Sequence, residues 1–337
     1  MYDNLVMIEE PVLLIGCARS GTTLLYNILS EVPLLWSIGH ESKRIIEQYH
    51  SPSFKDWEFG SLSAADLTEE SRAYIQSRFL AEAAPGTYWR RVNTLRRVIN
   101  RSEFYRAVKR RGRTLESASS VSNAIPGAGL ELFRSLVRAY NRIRIPRASI
   151  RLLEKTPENC LRLPFLTKLF PDARVIYLPR DGRANVHSLM EGWRQPHLFP
   201  GYITPIPVTS PGQNRGRWAF TLIPGWRALV DEPLEVICAH QWVKCNEEVC
   251  EYEASPEARP ILTIRYEDLV TDTATSLERI AEFLGLSTAD IPSFGRELPE
   301  VNAVSSPDMN KWQLEREAIE RVIPILAPTM AKLGYSI

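Results

Sequence analysis

Long hydrophobic runs are missing from this chain of 337 residues, although 44% of the residues are hydrophobic. No segment approaches the ~18 uninterrupted apolar residues of a membrane-spanning helix, and the N-terminal MYDNLVMIEEP lacks the basic and then apolar order of a secretory signal. A formal net charge of +1 provides little bulk charge for holding nucleic acid or a membrane surface. We therefore expect a cytoplasmic protein with no membrane span and no nucleic-acid partner, in which any basic site is local.

Metal-ligand and disulfide patterns are also missing. The five cysteines are an odd number without a regular spacing, and Cys245 and Cys250 have no histidine at zinc-ligand spacing. We expect the cysteines to be buried free thiols in a reducing compartment. We expect no metal ion at the functional site.

Short apolar runs that alternate with helical patterns make up most of the chain. The runs are continuous, as in strands that are covered on both faces. They span residues 11–16, 150–155, 173–178 and 260–266. Helices are expected from near Gly21, around 159–170, from about Asp181 and from about Thr273. These repeats predict a single doubly wound α/β domain over 1–337, with a central parallel sheet flanked by helices.

Two segments interrupt this alternation. Residues 50–148 are predicted to form a mainly helical insertion, which carries an arginine-rich stretch from Arg90 to Arg113. Residues 193–227 are rich in proline, glycine and aromatic side chains and show no clear period, which is typical of lids and binding loops. We expect its aromatic side chains to form an apolar lid. These side chains are Trp193, Phe199, Tyr202, Trp218, Phe220 and Trp226.

A loop typical of phosphate binding joins the first strand to the first helix. Residues 16–23 read GCARSGTT, so that two glycines are separated by four residues. Small residues let successive backbone N–H groups point at one anion, and the helix N-terminus adds a partial positive charge. A nucleoside triphosphatase places lysine directly after the second glycine, whereas here that position is Thr22 and the cation is Arg19. An ATPase or a nucleotide kinase is therefore the weaker interpretation.

A second anion site is predicted where the run 173–178 ends. Arg180 follows this strand, and Ser188 lies two helical turns further on. Ligands of open α/β sheets bind outside the carboxyl ends of the strands, and arginine offers a planar, charged fork to a phosphate. The alternative is a surface salt bridge between Arg180 and Asp181, or a helix-capping role for Asp181.

Taken together, these motifs resemble those of the PAPS-dependent sulfotransferase superfamily. Within it, they are most similar to the tyrosylprotein-sulfotransferase-like branch and its bacterial relatives. The matching segments are RSGTT (19–23), RDGR with HS (180–188), RYEDLVTDTATSLERIAEFLGL (265–286) and NKW (310–312). The resemblance implies a P-loop-like sulfotransferase fold and the donor 3′-phosphoadenosine 5′-phosphosulfate (PAPS), with PAP as its product. It further implies that Arg180 and Ser188 hold the 3′-phosphate and that Tyr266 contacts the nucleotide. The residues implied for the 5′-phosphosulfate are Arg19, Ser20, Gly21, Thr22 and Thr23.

Sulfuryl transfer requires in-line positioning and positive charge where the leaving oxygen becomes negative. Arg19 and Lys155 are the candidates for this charge, and Lys155 matches a family lysine in a similar K-(T/D)-P setting. The alternative for Lys155 is a local ion pair with Glu154 or Glu158. Because a sulfuryl group carries less charge than a γ-phosphoryl group, such side chains can act without Mg²⁺.

A hydroxyl acceptor must also lose its proton. The resemblance implies Glu41 as the base, but the match requires a one-residue gap, so that His40 is a rival with a side chain suited to neutral pH. The alternative is that Glu41 only adds negative charge to the N-terminus of a helix over 42–49.

The sequence therefore predicts a sulfotransferase that moves a sulfuryl group from PAPS directly to an acceptor hydroxyl. A non-catalytic nucleotide-binding module would be expected to lack one of the site residues, and all are present. RNA binding through Arg90–Arg113 would require interleaved aromatic residues. The aromatic segment 193–227 favours a small hydrophobic or lipid-like alcohol as acceptor, whereas the arginine-rich stretch would suit a charged one. The sequence leaves the formation of a homo-oligomer open.

Overall fold

The computed structural model describes residues 7–58, 60–91, 149–196, 198–199, 201–209, 216–291 and 310–337. Within these residues, six strands form one sheet in the order β3-β2-β4-β1-β5-β6. The strands are β1 (Val12–Ile15), β2 (Leu35–Ser37), β3 (Ala84–Pro85), β4 (Arg151–Lys155), β5 (Arg174–Tyr177) and β6 (Ile261–Thr263). The pair β2–β3 is antiparallel and the other pairs are parallel, so the predicted central parallel sheet is confirmed.

Helices cover both faces of this sheet. They are α1 (Thr22–Leu29), α2 (Lys43–His50), α3 (Glu69–Glu82), α4 (Leu163–Leu169), α5 (Gly182–Trp193), α6 (Leu234–Glu253), α7 (Tyr266–Thr271), α8 (Thr273–Leu284) and α9 (Arg316–Lys332). Short 3₁₀ segments at Pro157–Leu161 and Lys311–Glu315 precede α4 and α9. The strand–helix order is that of an α/β fold, as predicted.

Strand β1, which lies between β4 and β5, shows why its apolar run is continuous. Leu13 and Ile15 belong to a core cluster with α4, α5, α6 and α9, whereas Val12 and Leu14 belong to a second cluster with α1 and α8. Successive side chains of a strand point to opposite faces, so a strand covered on both sides must be apolar at every position. Each fully buried aliphatic side chain stabilises the fold by about 1.5–3 kcal/mol.

The predicted helix starts are confirmed by the residues that cap them. Gly21 is the N-cap of α1 and has a φ of 97°, a left-handed conformation that glycine adopts readily. Asp181 caps α5 by accepting hydrogen bonds from the backbone N–H groups of Arg183 and Ala184. The segment expected to be helical around 159–170 is divided into the 3₁₀ turn and α4.

The two predicted insertions are described only in part. Residues 92–148, which include nearly all of the arginine-rich stretch, lie outside the described residues, as do residues 197, 200 and 210–215. In the second segment, Trp193, Trp218 and Trp226 are fully buried in the larger core cluster, and their rings are in edge contact. The prediction that these three tryptophans form part of an apolar lid is therefore wrong, because they are core residues. Phe199 and Phe220, whose ring centroids are 5.1 Å apart, remain partly exposed.

The cysteines are free, as predicted: Cys17, Cys160, Cys238 and Cys245 are buried, while Cys250 is partly exposed. Among the helices of the described ranges, none has both the length and the apolar composition needed to span a bilayer.

Candidate active site

Residues predicted from five separate motifs lie along one edge of the sheet. Glu41 follows β2, Lys155 ends β4, the 16–23 loop follows β1, Arg180 follows β5, and Tyr266 follows β6. These five strands are adjacent and parallel, so their carboxyl ends meet at the same edge. The order along this edge is therefore Glu41, Lys155, the loop, Arg180 and Tyr266.

The 16–23 loop is packed so closely that its glycines are required. A Cβ on Gly16 would lie 2.7 Å from the carbonyl oxygen of Leu178 at the end of β5. A Cβ on Gly21 would overlap the ring of Tyr266, in addition to the strain of its left-handed φ. Between them, the Ser20 N–H donates to the Cys17 oxygen over 3.1 Å and closes a turn. Arg19 in this turn also has a left-handed φ of 69°.

Some polar groups of the loop have no hydrogen-bond partner among the described residues. The Ser20 hydroxyl is fully buried, and no residue in the described part of the chain forms a hydrogen bond with it. The first backbone N–H groups of α1, which begins at Thr22, have no acceptor within the helix. Buried polar groups normally have partners, so this arrangement fits a loop that receives an anion.

Two guanidinium groups meet on the β5 side of the loop. Arg19 Nε donates to Ser188 Oγ over 3.3 Å, and Arg180 Nη1 donates to the backbone oxygen of Arg19 over 3.0 Å. Burial lowers the pKa of Arg19, the charge of Arg180 lowers it further, and Glu191 acts in the opposite direction. Two neighbouring cations repel each other, and an anion placed between them would remove this repulsion.

Arg180 is held in place by an aromatic ring. Its guanidinium carbon lies 4.5 Å from the ring centroid of Tyr266, and its Nε is buried with no hydrogen-bond partner within the described ranges. Asp181 both caps α5 and pairs with Arg183, at 2.6 Å. The capping role considered for Asp181 is thus present, whereas Arg180 contacts the loop and Tyr266.

Lys155 and Glu41 form an ion pair on the β4 side of the loop. Lys155 Nζ lies 2.8 Å from Glu41 Oε1 and donates to Thr23 Oγ1 over 3.3 Å. The Lys155 side chain is 7% exposed, while that of Glu41 is 44% exposed. Lys155 thus pairs with Glu41 and not with either acid considered from the sequence, since Glu154 and Glu158 have other partners. Glu41 lies before the N-cap Ser42 of α2, with its carboxylate at Lys155.

His40 is placed differently from Glu41. Its Nδ1 lies 2.9 Å from the backbone oxygen of Glu41, and its Nε2 lies 3.0 Å from Glu82 Oε2. Arg78 also binds the Glu82 carboxylate. Both ring nitrogens of His40 therefore already face oxygen atoms of the protein, so that neither is directed at an acceptor hydroxyl.

One residue at the loop was not predicted from the sequence. Asn185 is fully buried in the first turn of α5, and its Nδ2 donates to the backbone oxygen of Ala18 over 3.0 Å. Its only sequence signal is its position four residues after the cap Asp181, on the face that also carries Ser188. Asn185 fixes the loop from the β5 side.

Three or more metal-ligating side chains do not come together anywhere in the part of the chain that the structure describes. The groups that converge at the sheet edge are instead cationic and hydrogen-bonding side chains, of the kind that hold phosphate oxygens.

A family model described as the sulfotransferase family matches residues 11–199, more than half of the chain. Solved structures to which this chain is similar include the sulfotransferase domain from the curacin biosynthetic pathway, at 15% identity over 98% of this chain and 99% of that one, with a TM-score of 0.43. A sulfotransferase from Alicyclobacillus acidocaldarius is 14% identical over 98% of both chains, with a TM-score of 0.45. Mouse sulfotransferase SULT7A1, complexed with PAP, is 13% identical over 97% of this chain and 87% of that one, with a TM-score of 0.40. Since each of these TM-scores is below 0.5, the family assignment depends on the family model.

Proposed function

Because the chain belongs to the sulfotransferase family, we propose that it transfers a sulfuryl group from PAPS directly to an acceptor hydroxyl. The observation that carries this proposal is the convergence of Arg19, Arg180 and the orphan hydroxyl of Ser20 on one side of the 16–23 loop, next to the Lys155–Glu41 pair. Cations for the donor and an acid for the acceptor thus share one sheet edge.

The donor is proposed to bind across the carboxyl ends of β1 and β5. The loop residues Ser20 to Thr23 would hold its 5′-phosphosulfate through backbone N–H groups and hydroxyls. Arg180 and Ser188 would hold its 3′-phosphate, with Arg19 between the two groups and Tyr266 against the nucleotide. The buried, unpartnered Nε of Arg180 supports this fit, because it offers a charged donor that the described residues leave unused. When bound, PAPS supplies an activated sulfuryl group.

Glu41 and Lys155 are proposed to act on the acceptor side. The Glu41 carboxylate is half-exposed and takes the proton of the acceptor hydroxyl. Protonation neutralises Glu41 and so weakens its 2.8 Å ion pair with Lys155. The ammonium group of Lys155 then keeps its full charge for the leaving oxygen, as an electrostatic stabiliser that is already in position. Arg19 adds a second positive charge from the other side of the loop.

The base is proposed to be Glu41, because both ring nitrogens of His40 already face oxygen acceptors. Glu41→Gln should lower kcat by on the order of 10²-fold or more, the contribution of a general base. His40→Asn should lower it much less, since this variant leaves the Glu41 carboxylate in place. Steady-state rates of the two purified variants test this assignment, and the reverse order would overturn it.

The acceptor is proposed to be a small hydrophobic or lipid-like alcohol. The support is that an aromatic pair borders the loop: the Arg19 guanidinium lies 5.1 Å from the ring centroid of Phe199, which in turn packs on Phe220. Mass-spectrometric detection of sulfated products from a metabolite extract incubated with PAPS would identify the acceptor. Sulfation of polyanionic glycans alone would contradict the proposal.

Thermal unfolding with nucleotides tests the donor. A ligand that binds only the folded protein stabilises it by about 2.7 kcal/mol at 100 times its Kd, so 3′,5′-ADP (PAP) should raise Tm by several degrees. ATP with Mg²⁺ serves as the comparison, because a kinase or ATPase would respond to it. A rise in Tm with ATP and Mg²⁺ but not with PAP would refute PAPS as the donor.

A further inference from the structure

A buried carboxylate lies directly behind the Lys155–Glu41 pair. Glu154 is the residue before Lys155 in β4, and it is 1% exposed. Because successive side chains of a strand point to opposite faces, Lys155 faces α1, where it contacts Thr23, while Glu154 faces the opposite side of the sheet. The mechanism proposed above gives Glu154 no role.

Glu154 accepts three hydrogen bonds from uncharged groups. Ser42 Oγ and Thr156 Oγ1 donate to its Oε1 over 2.6 and 2.7 Å, and Asn159 Nδ2 donates to its Oε2 over 2.5 Å. None of these donors carries a charge. Burial raises the pKa of Glu154, and it outweighs the opposing effects of the hydrogen bonds and of the charge on Lys155. An acid in this position is costly for stability, so its presence requires another explanation.

The hydrogen bonds of Glu154 connect two distant parts of the chain. Ser42 is the N-cap of α2, and its own N–H donates to Thr156 Oγ1 over 2.8 Å. The segment that follows β2 is therefore fastened to the end of β4 through both the backbone and the side chain of Ser42. We call Ser42, Glu154, Thr156 and Asn159 the carboxylate clamp.

The two ends of the carboxylate clamp are sequence neighbours of the two members of the ion pair. Glu41 precedes Ser42, and Lys155 follows Glu154. An ion pair with a half-exposed carboxylate is partly screened by solvent, so it does not by itself hold two side chains in one geometry. The buried clamp, in contrast, fixes both backbones within one residue of the pair.

We propose that Glu154 is a positioning residue, which holds Glu41 against Lys155 through Ser42. This inference rests on the proposed function, since it gives the ion pair its catalytic meaning. A displacement of ~1 Å in an active site can lower a rate by up to ~10²-fold. Loss of the clamp should therefore lower kcat by ~10- to 100-fold and leave the KM for PAPS nearly unchanged, because Arg180 and Ser188 are not part of it.

The test compares variants that break the clamp with variants that keep it. Ser42→Ala and Glu154→Ala remove its central hydrogen bonds, whereas Ser42→Thr retains a hydroxyl. Glu154→Gln retains the shape and one acceptor oxygen, and a flipped Asn159 could accept from the new amide, since Asn159 Oδ1 is buried and has no partner in the described ranges. The matched control is Thr167→Val, which removes a buried hydroxyl that donates to the Leu163 oxygen over 2.8 Å in α4. We expect the conservative variants and the control to remain close to the wild-type kcat.

A second measurement reads the ion pair without any donor or acceptor. Lys155 is nearly buried and paired with Glu41, so its acetylation by acetic anhydride, followed by mass spectrometry, should be slow in the wild type. Ser42→Ala should accelerate this labelling several-fold, and Thr167→Val should not. Wild-type kcat and wild-type Lys155 labelling in folded Ser42→Ala would overturn the positioning role, as would an equal effect of Thr167→Val. A wild-type protein without sulfuryl transfer but with the predicted labelling pattern would refute the proposed function and leave the clamp standing.

Discussion

Arg180 gives the most direct test of the proposed donor site, because the 3′-phosphate distinguishes PAP from 5′-AMP. Its guanidinium lies against Tyr266, binds the Arg19 carbonyl and keeps a buried Nε unused in the described part of the chain. We predict that Arg180→Ala abolishes most of the preference for 3′,5′-ADP over 5′-AMP. Binding of the 5′-phosphate should change less, since it is proposed to depend on the 16–23 loop.

The magnitude follows from the kind of contact that is lost. A hydrogen bond to a charged group contributes about 1.5–3 kcal/mol, and a forked guanidinium–phosphate contact lies at the upper end of that range. A loss of about 2–3 kcal/mol corresponds to a ~30- to 150-fold weaker affinity for 3′,5′-ADP. Arg180→Lys should recover only part of this, because lysine offers a point charge and no planar fork.

Isothermal titration calorimetry of both nucleotides, with wild type and variants, measures this preference. Arg183→Ala is the matched control: it removes the same charge three positions away, from a side chain that pairs with Asp181 at 2.6 Å. At ~0.1 M salt the Debye length is about 10 Å, so charge alone should act weakly in the control. Arg180 would not bind the 3′-phosphate if Arg180→Ala weakened the binding of 3′,5′-ADP and of 5′-AMP by the same factor. The same conclusion would follow if Arg183→Ala removed the preference for 3′,5′-ADP equally well.

Three further predictions concern the loop, the ion pair and the clamp. Lys155→Ala should lower kcat by on the order of 10²-fold, while the Kd of 3′,5′-ADP measured by calorimetry should remain nearly unchanged. A wild-type kcat in this variant would show that Lys155 has no part in the mechanism. Gly21→Ala should destabilise the protein in urea more than Gly225→Ala. Both glycines have a left-handed φ, but the new methyl group at position 21 would overlap the ring of Tyr266, whereas no described residue lies within 4 Å of the one at position 225. Equal losses would show that the Tyr266 contact is unimportant. Glu154→Gln should stabilise the protein at neutral pH, because burial raises the pKa of Glu154, so the wild type loses stability as the pH rises through the range between its unfolded and folded pKa values. The gain in Tm should shrink towards pH 4, and a gain that does not depend on pH would contradict this explanation.

The sheet was largely predictable because its signals are local. The apolar runs of β1 and β5 are continuous in sequence because these strands are buried on both faces. Leu152 and Leu153 in β4, and Ile261 and Leu262 in β6, form shorter runs. In contrast, β2 has three residues and β3 has two, too few for a periodic pattern to emerge. The antiparallel pairing of β3 with β2 depends on contacts across some 47 residues of chain, between Ser37 and Ala84, which composition does not encode.

The residues of the candidate site could be named from the sequence, but their contacts could not. The only ion pair considered for Lys155 from the sequence was a local one, with Glu154 or Glu158, as the alternative to a catalytic role. Lys155 instead pairs with an acid 114 positions away, because β2 and β4 are neighbours in the sheet. The burial of the tryptophans in the 193–227 segment was not predicted either, because it depends on hydrogen-bond partners. Trp193 donates to Gln241 over 2.9 Å and Trp218 to the Thr221 oxygen over 2.8 Å. A satisfied indole N–H lets such a side chain enter the core, and the sequence alone does not reveal these partners.

The position of Arg19 separates the side chains proposed to bind the donor from those proposed to move the proton. Its left-handed φ and its bond to Ser188 direct the guanidinium towards β5, whereas Thr23, in the first turn of α1, contacts Lys155 beside β4. The strands β4 and β5 are both neighbours of β1, so they are ~10 Å apart across the sheet. One loop therefore faces two groups of side chains: the arginines proposed to bind the donor and the Lys155–Glu41 pair proposed to move the proton. Of the two cations expected to stabilise the leaving oxygen, only Lys155 contacts the base, and we infer that Arg19 acts more through donor binding than the sequence indicated.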